Sequence, residues 1–533
     1  MKCTSTRIPY RQTGVFSRMA MDYIDQAETL RPYFAHPVNL SGIQKAIEER
    51  KKFTQDRAGL VRVLKQQYEG VETSSLVKKN IDSLLSPDTF TITTAHQNNI
   101  FTGPLYFIYK IIHAIRLADQ LNEQLAPNRF VPVFYIGSED ADIEELNHIY
   151  LAGEKLTWNT TQTGAVGRMK IDKALLELIR SMEGQLAVLP AGEEIITALK
   201  THYREGQTIA GATFGFINFL FSEMGLVILQ PDNADLKRMM IPLFEDELIN
   251  QTASGLVAAT TENLEACGYR VQAHPREINL FYLDGDKRER ITREDGRFRA
   301  KGTDLDLDEN GIRKLLSEQP GFFSPNVITR GLYQETILPN LAFIGGAGET
   351  AYWLQLKDLF TRYQVPFPVL VLRNSFLLVE PKWQEAARKL GFTEEDLFLS
   401  ETELMNRIVT RESSNPVVLK DALKEMEGLY DSVKTQAMAV DLTLGKHVEA
   451  LRARALQRLR ELEKKMLRAE KRKYSDQQRQ IRAIREQLFP GNGLQERKDN
   501  FTYFYAKTGK DFLRNIYEHS LTLEQEFVIL NMS

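Results

Sequence analysis

Cysteine is nearly absent: Cys3 and Cys267 are the only two among 533 residues. Two thiols cannot build a disulfide framework, and neither sits in a Cys-x-x-Cys or Cys/His spacing that would hold zinc, so the chain reads as reduced and cytoplasmic. An excess of charge is also lacking. The 68 Lys and Arg against 71 Asp and Glu leave a net charge of −3, without the global basic signature of a nucleic-acid binder. There is no run of about 18 apolar residues to cross a bilayer, and the N-terminal stretch MKCTSTRIPYRQTGVF has no apolar signal core. Walker A, His-Glu-x-x-His and Gly-x-Ser-x-Gly strings are missing, which speaks against P-loop NTPases, zincins and serine hydrolases. Internal repeats and low-complexity tracts are missing too.

What is present is ordinary globular material, 43% hydrophobic and 26% charged, long enough for about three to four domains or one large core with insertions. Residues 1–88 read as a helical region, from apolar recurrence at Ile43–Ile47 and Leu60–Val63–Leu64. From 89 the pattern becomes strand, helix, strand: TFTITTAH, then GPLYFIYKIIHAIRLADQL, then RFVPVFYIGS. That is the unit of a parallel sheet. The sheet pattern is interrupted at 151–212, returns over 213–250 (FGFINFLFSEM, GLVILQPDN, ADLKRMMIPLFEDEL), and is interrupted again at 251–325. In the second interruption INLFYL and RERITRE, with turns at Gly285 and Gly296, read as antiparallel strands. It resumes over 326–382 through LPNLAFIGG, ETAYWLQLKDLFTRY and VPFPVLVLRN. Residues 383–520 read as helical, with Leu459, Leu462, Met466 and Ala469, then Ile481, Ile484 and Leu488, at coiled-coil spacing. Within 446–490 lie 14 Lys/Arg against 6 Asp/Glu, so the coil is locally basic. Pro490, Gly491 and Gly493 end it before a return helix near 508–518, and 521–533 form a tail.

In an open parallel sheet, ligands bind beyond the carboxyl ends of strands where strand order reverses. Three such ends carry polar residues. After the first strand come His96 and Gln97, then Thr102, Gly103 and Pro104 opening the long helix, with Thr102 as N-cap. That helix start would favour a carboxylate or phosphate, although His96 alone could simply be a hydrogen-bonded histidine closing a strand. After the second strand, Glu139, Asp140 and Asp142 could grip an ammonium group, hold Mg2+ or act as a base, or could merely stabilise the next helix start. The third end is Gly345–Gly346–Ala347–Gly348–Glu349. With Ala351 it fits Gly-x-Gly-x-x-Ala, and the next strand ends in Arg373 rather than an acid, leaving an NADP-type oxidoreductase as one alternative and a tight strand–helix turn as another. Nucleic-acid binding through the basic coil is a third.

Four segments carry a resemblance beyond composition: TAHQNNIFTGPLYFIYK (Thr94–Lys110), PVFYIGSEDADIEELNH (Pro132–His148), ILPNLAFIGGAGETAYWLQLK (Ile337–Lys357) and LFPGNGLQER (Leu488–Arg497). Together and in order they resemble the bacillithiol biosynthesis cysteine-adding enzyme family, BshC. The chain departs from the family pattern at Ala95, where a glycine is usual, at Ala141, where a histidine is usual, and at Ala347, where a proline is usual. The resemblance implies an α/β fold: a Rossmann-like parallel-sheet core, class I synthetase-like, with two connecting-peptide insertions and a C-terminal helical coiled coil that forms a homodimer. It implies a ligase that adds L-cysteine to glucosaminyl malate through an amide bond, with ATP as expected co-substrate and Mg2+ as a candidate metal. Within that scheme His96, Gln97, Asp140 and Asp142 are the expected catalytic residues. Thr102, Gly103, Glu139, Gly345, Gly346, Glu349 and Arg373 are expected to bind substrate, with Arg373 receiving the malate carboxylates. Gly491, Asn492, Gln495 and Arg497 are the expected nucleotide contacts.

Overall fold

The computed structural model describes residues 3–414 and 418–533. They divide into two units. One comprises Arg7–Leu377 and Leu494–Leu530; the other comprises Met1–Thr6, Leu378–Gly493 and Asn531–Ser533.

The larger unit is built on a five-stranded sheet whose strands we label in chain order: β1 (Thr89–Gln97), β2 (Arg129–Gly137), β3 (Val227–Leu229), β4 (Asn340–Gly345) and β5 (Val369–Leu372). Their spatial order is β5-β4-β1-β2-β3, and every pairing is parallel. Sequence order therefore runs outward in both directions from the junction of β1 and β4. Strands covered on both faces need near-continuous apolar or β-branched residues, as in TFTITTAHQ and RFVPVFYIG. Ile43, Ile47, Phe90, Ile92, Leu117, Leu121, Ile344 and Val371 share one core cluster. Each such side chain contributes roughly 1.5–3 kcal/mol on full burial. An aspartate at Ile92, which is 0% exposed, would put an unpaired charge into that cluster.

The crossover from β1 to β2 is the 19-residue helix α1 (Tyr106–Gln124), uninterrupted by Gly or Pro. Its Phe107, Ile108, Ile111, Ile112, Ile115 and Leu117 are buried, and so are the polar Lys110 and His113. After β4 comes the shorter helix α2 (Ala347–Leu354). Between β3 and β4, the strands Leu280–Asp284, Lys287–Glu294, Arg297–Ala300, Asp306–Leu307 and Phe323–Pro325 make a separate sheet, antiparallel throughout. Gly285 and Gly296 turn it with φ of +57° and +75°. The antiparallel expectation for 268–305 is thus met. The earlier interruption holds a short hairpin, His148–Leu151 with Glu154–Thr157, and the helices Lys173–Leu186 and Gly192–His202.

Sequence periodicity missed all three strands of a further sheet. Thr4–Pro9 lies in a region read as helical and Glu526–Asn531 in one read as a tail; with Ser375–Val379 they form a three-stranded sheet. The stretch read as one helix from Ala234 is two, Ala234–Arg238 and Ile241–Asn250, with Pro242 in the first turn of the second. In the smaller unit, the coil helix Leu444–Lys471 packs against Lys420–Val440 of the same chain. Ile481, Ile484 and Leu488 are buried on Ser475–Leu488, which packs against Glu401–Glu412. No helix among the described residues is long and apolar enough to cross a membrane.

Candidate active site

The junction of β1 and β4 is a topological switch point, where the two neighbouring crossovers leave in opposite directions and open a crevice at the strand ends. A cleft of about 460 Å³ lies there. His96 and Gln97 reach it from the end of β1, Glu139 and Asp140 from just beyond β2, Gly346 and Glu349 from the turn after β4, and Arg373 from just after β5. Seven residues expected from strand-end position together with the family resemblance therefore share one cavity, and Arg497 lines it as well.

His96 is 9% exposed and packs beside Tyr106 and Phe107, with ring centroids 5.3 and 5.1 Å away. Its Nδ1 lies 3.1 Å from the Gln97 carbonyl oxygen. A carbonyl only accepts, so Nδ1 carries the proton and Nε2 keeps its lone pair. Burial, reinforced by the positive charge of Lys110, depresses the imidazole pKa to about 3. His96 is a neutral acceptor at any physiological pH. Next to it, Gln97 donates from Nε2 to Asp140 Oδ2 at 2.7 Å, fixing one carboxylate oxygen, and Asp140 Oδ1 accepts the Asp142 N–H at 3.0 Å.

Lys110, from the middle of α1, is 2% exposed; its Nζ donates to the Ala95 carbonyl at 2.9 Å and pairs with Glu349. Glu349 Oε2 also accepts the Gly346 N–H at 2.8 Å, at the start of α2. Burial alone would raise the Glu349 carboxyl, but Lys110 and the Gly346 N–H outweigh it and hold the group below its ordinary range. A dinucleotide pyrophosphate would need that same N–H, so an internal carboxylate occupies the position that the NADP reading requires.

Arg373 and Glu139, both expected to bind substrate, each already have a buried partner. Arg373 Nη2 donates to Glu496 Oε1 at 2.7 Å, and Nη1 donates to the Asn374 carbonyl and Ser375 Oγ at 3.0 and 3.2 Å. Its guanidinium also lies 4.8 Å from the Tyr106 ring centroid. The fork expected to receive malate is engaged from within the protein. Glu139 Oε1 accepts from Lys237 Nζ at 2.6 Å, and Lys237, 0% exposed, also pairs with Asp232 at 2.9 Å. Asp232 in turn holds Arg168 through bonds of 2.6 and 2.9 Å. Glu139 thus meets an internal ammonium rather than a free position for a ligand's.

Other expected residues lie outside the cleft lining. Thr102 does not cap α1: the cap position is Leu105, while Phe101 and Thr102 have φ of +48° and +69°. The Leu105 N–H donates to the Asp499 carbonyl at 2.8 Å and Thr102 is fully buried; from the start of α1 it is Tyr106 that lines the cleft. Gly103 has φ +64°, and a Cβ there would come within 2.7 Å of Asn99 Cβ; its glycine is a backbone requirement. Asp142 is exposed at the start of a short helix, and Gly345 ends β4, its carbonyl accepting the Arg373 N–H at 2.8 Å. Gly491 and Asn492 are exposed in the smaller unit and Gln495 is 1% exposed in the larger one; of that group only Arg497 lines the cleft.

Several lining residues were missed. Lys110 left a readable signal, a lone charge within the apolar stripe YFIYKIIHAI. Arg288 did not, since it sits among alternating charges in KRERITRE, and Arg330 lies on the buried helix Val327–Ile337. Arg288 donates to Ser324 Oγ and the Pro325 carbonyl, each at 3.1 Å; Arg330 donates to Tyr352 Oη at 2.6 Å. Among the described residues, no group of three or more His, Cys, Asp or Glu side chains is placed to hold a metal ion.

Comparison with known proteins agrees along the whole chain. The N-terminal Rossmann-like domain of bacillithiol biosynthesis BshC matches residues 1–374, and the C-terminal coiled-coil domain of BshC matches 376–532. A relative from Flavobacterium psychrophilum, named "Putative cysteine ligase BshC", is 37% identical over 98% of both chains. Relatives of the same name from Flavobacterium johnsoniae and Cytophaga hutchinsonii are also 37% identical, covering 98% and 93% of this chain and 99% and 93% of their own. With its parallel-sheet core, its coiled-coil segment and these matches, the chain belongs to the bacillithiol biosynthesis BshC family.

Proposed function

We propose that the chain is a cysteine ligase that joins the carboxyl group of L-cysteine to the sugar amine of glucosaminyl malate, the last step of bacillithiol biosynthesis, in the cytoplasm. The observation that carries this reading is the convergence of three separated family segments, around His96, Asp140 and Glu349, on one switch-point cleft. A carboxylate is a poor acyl donor until its oxygen becomes a leaving group, and ATP is the expected source of that activation, arriving with Mg2+. The unpaired guanidinium donors of Arg288 and Arg330 suit the charge of a phosphate or a carboxylate.

In this scheme His96 Nε2 accepts a hydrogen bond from the attacking amine and aligns it, the Gln97 carbonyl fixes the ring through Nδ1, and the proton shed as the C–N bond forms passes to the Asp140 carboxylate or to solvent. Asp140, held by Gln97, receives the amine's remaining N–H groups. Homodimerisation through the coil belongs to the same proposal, supported by Leu429 and Leu462, which stand 61% and 47% exposed on the paired helices.

The test is direct. Purified protein with cysteine, glucosaminyl malate and ATP should yield the condensed thiol by mass spectrometry, and His96→Ala and Asp140→Asn should each lower turnover by roughly 100- to 1,000-fold. No product from the native chain, or full turnover in both variants, removes the cleft from this chemistry.

A further inference from the structure

Charged side chains around the cleft fall into two sets. Lys110, Lys237 and Arg373 each hold a carboxylate: Glu349, Glu139 and Glu496 respectively. Arg288 and Arg330 do not. Both are half-buried lining residues, and among the described residues neither forms an ion pair. A half-buried guanidinium with no carboxylate in direct contact keeps N–H donors that an arriving anion can take up.

Their hydrogen bonds define which atoms are free. Arg288 uses Nε and Nη2 on Ser324 Oγ and the Pro325 carbonyl, and its guanidinium carbon lies 3.9 Å from the Phe281 ring centroid. That leaves Nη1. Arg330 uses Nη2 on Tyr352 Oη, and its guanidinium carbon lies 5.7 Å from the Tyr135 ring centroid. That leaves Nη1 and Nε. Each guanidinium is held by neutral partners and an aromatic ring, so its orientation is fixed; Glu139, Asp140 and Asp232 attract Arg288 and Glu349 attracts Arg330 from a distance, but among the described residues no carboxylate is in direct contact with either. They come from different elements, the antiparallel strand Lys287–Glu294 and the helix Val327–Ile337.

We propose that Arg288 and Arg330 form the oxyanion receptor of this cleft and bind a small dicarboxylate, one carboxylate to each guanidinium. Resting on the ligase reading, this assigns them the malyl end of the acceptor substrate, the role expected of Arg373, whose charge Glu496 already pairs. The chemistry is a charge-assisted N–H to carboxylate contact, with no covalent step.

Isothermal titration of the full chain with L-malate alone tests the receptor independently of turnover. The native protein should bind, and Arg288→Lys, Arg288→Met, Arg330→Lys and Arg330→Gln should each weaken binding by about 10- to 100-fold, the loss expected for a hydrogen bond to a charged group. Far-ultraviolet circular dichroism and thermal unfolding identify any variant that fails to fold, and for each arginine the lysine variant keeps the charge while removing the fork. Succinate should compete with malate, and acetate should bind more weakly than either. Malate affinity unchanged in all folded variants overturns the proposal, as does no malate binding to the native chain. Arginine-dependent binding of inorganic triphosphate without malate binding also overturns it, since that gives the pair to a nucleotide. Arginine-dependent malate binding without condensed product upholds the receptor and overturns the ligase reading alone.

Discussion

Arg373 and Glu496 lie 123 positions apart and meet through an N–O contact of 2.7 Å, with side chains 5% and 0% exposed. The Glu496 carboxylate also accepts Ser375 Oγ and the Phe376 N–H, each at 3.1 Å, so the pair ties Leu494–Leu530 to the end of β5 within the larger unit.

Breaking that pair from one side should be costly. Glu496→Gln leaves a buried guanidinium without its charge partner and should lower unfolding free energy by about 3–5 kcal/mol in urea titrations. Arg373→Met combined with Glu496→Leu should recover much of the loss, and a double-mutant cycle measures the coupling. A single variant as stable as the native chain would refute this account.

The Lys110–Glu349 pair should respond asymmetrically. Glu349→Gln strands an ammonium that is 2% exposed, whereas Lys110→Met fills the same space with an apolar chain and leaves a carboxylate that is 23% exposed. Equilibrium unfolding should therefore show the glutamate change as the more damaging of the two. The reverse order would mean that Lys110 is held chiefly by the Ala95 carbonyl.

Acid should destabilise the fold through two buried imidazoles. Burial depresses His96 to about 3 and His113 to about 4, from an ordinary value of 6.5. Below pH 6.5 the unfolded chain takes up protons that the folded chain refuses, so protonation favours unfolding. This stabilising contribution is complete above 6.5 and is lost as pH falls toward 4, by up to about 1.4 kcal/mol per unit for each histidine. Denaturant midpoints at pH 8, 6 and 5 check it, and His113→Asn should flatten the slope. His113 Nδ1 accepts the Asn374 N–H at 3.1 Å, and Nε2 lies 2.7 Å from the Thr522 carbonyl, so its proton sits on Nε2 and the neutral ring is satisfied at both ends.

Leu429→Glu together with Leu462→Glu should shift sedimentation from dimer to monomer at micromolar concentration while leaving the far-ultraviolet spectrum intact, because both side chains are exposed within a single chain. A native monomer would remove the coil from assembly.

The parallel core was legible because β1, β2 and β4 are long apolar or β-branched runs followed by polar clusters, and strand-end position together with the family resemblance led to His96, Asp140 and Glu349. Partnership was not legible. Glu139 and Arg373 carry the right chemistry at the right strand ends, yet Lys237 and Glu496, 98 and 123 positions away, decide that neither is free. Thr102 and Pro104 look like a helix start in one dimension. The left-handed backbone at Phe101 and Thr102 delays the helix by a few residues and turns that signal inward. Arg288 and Arg330 were invisible for a similar reason, since what distinguishes them is the absence, among the described residues, of a direct ion pair, which no local pattern records.

The strand carrying Arg288 belongs to a sheet encoded entirely between β3 and β4, whereas His96 and Asp140 are encoded before it. If the proposed roles hold, recognition of the incoming acid and handling of the amine's proton are written in separable stretches of the gene. On that reading the preferred acceptor could be retuned within the stretch between β3 and β4, which carries both Arg288 and Arg330, leaving His96 and Asp140 unedited.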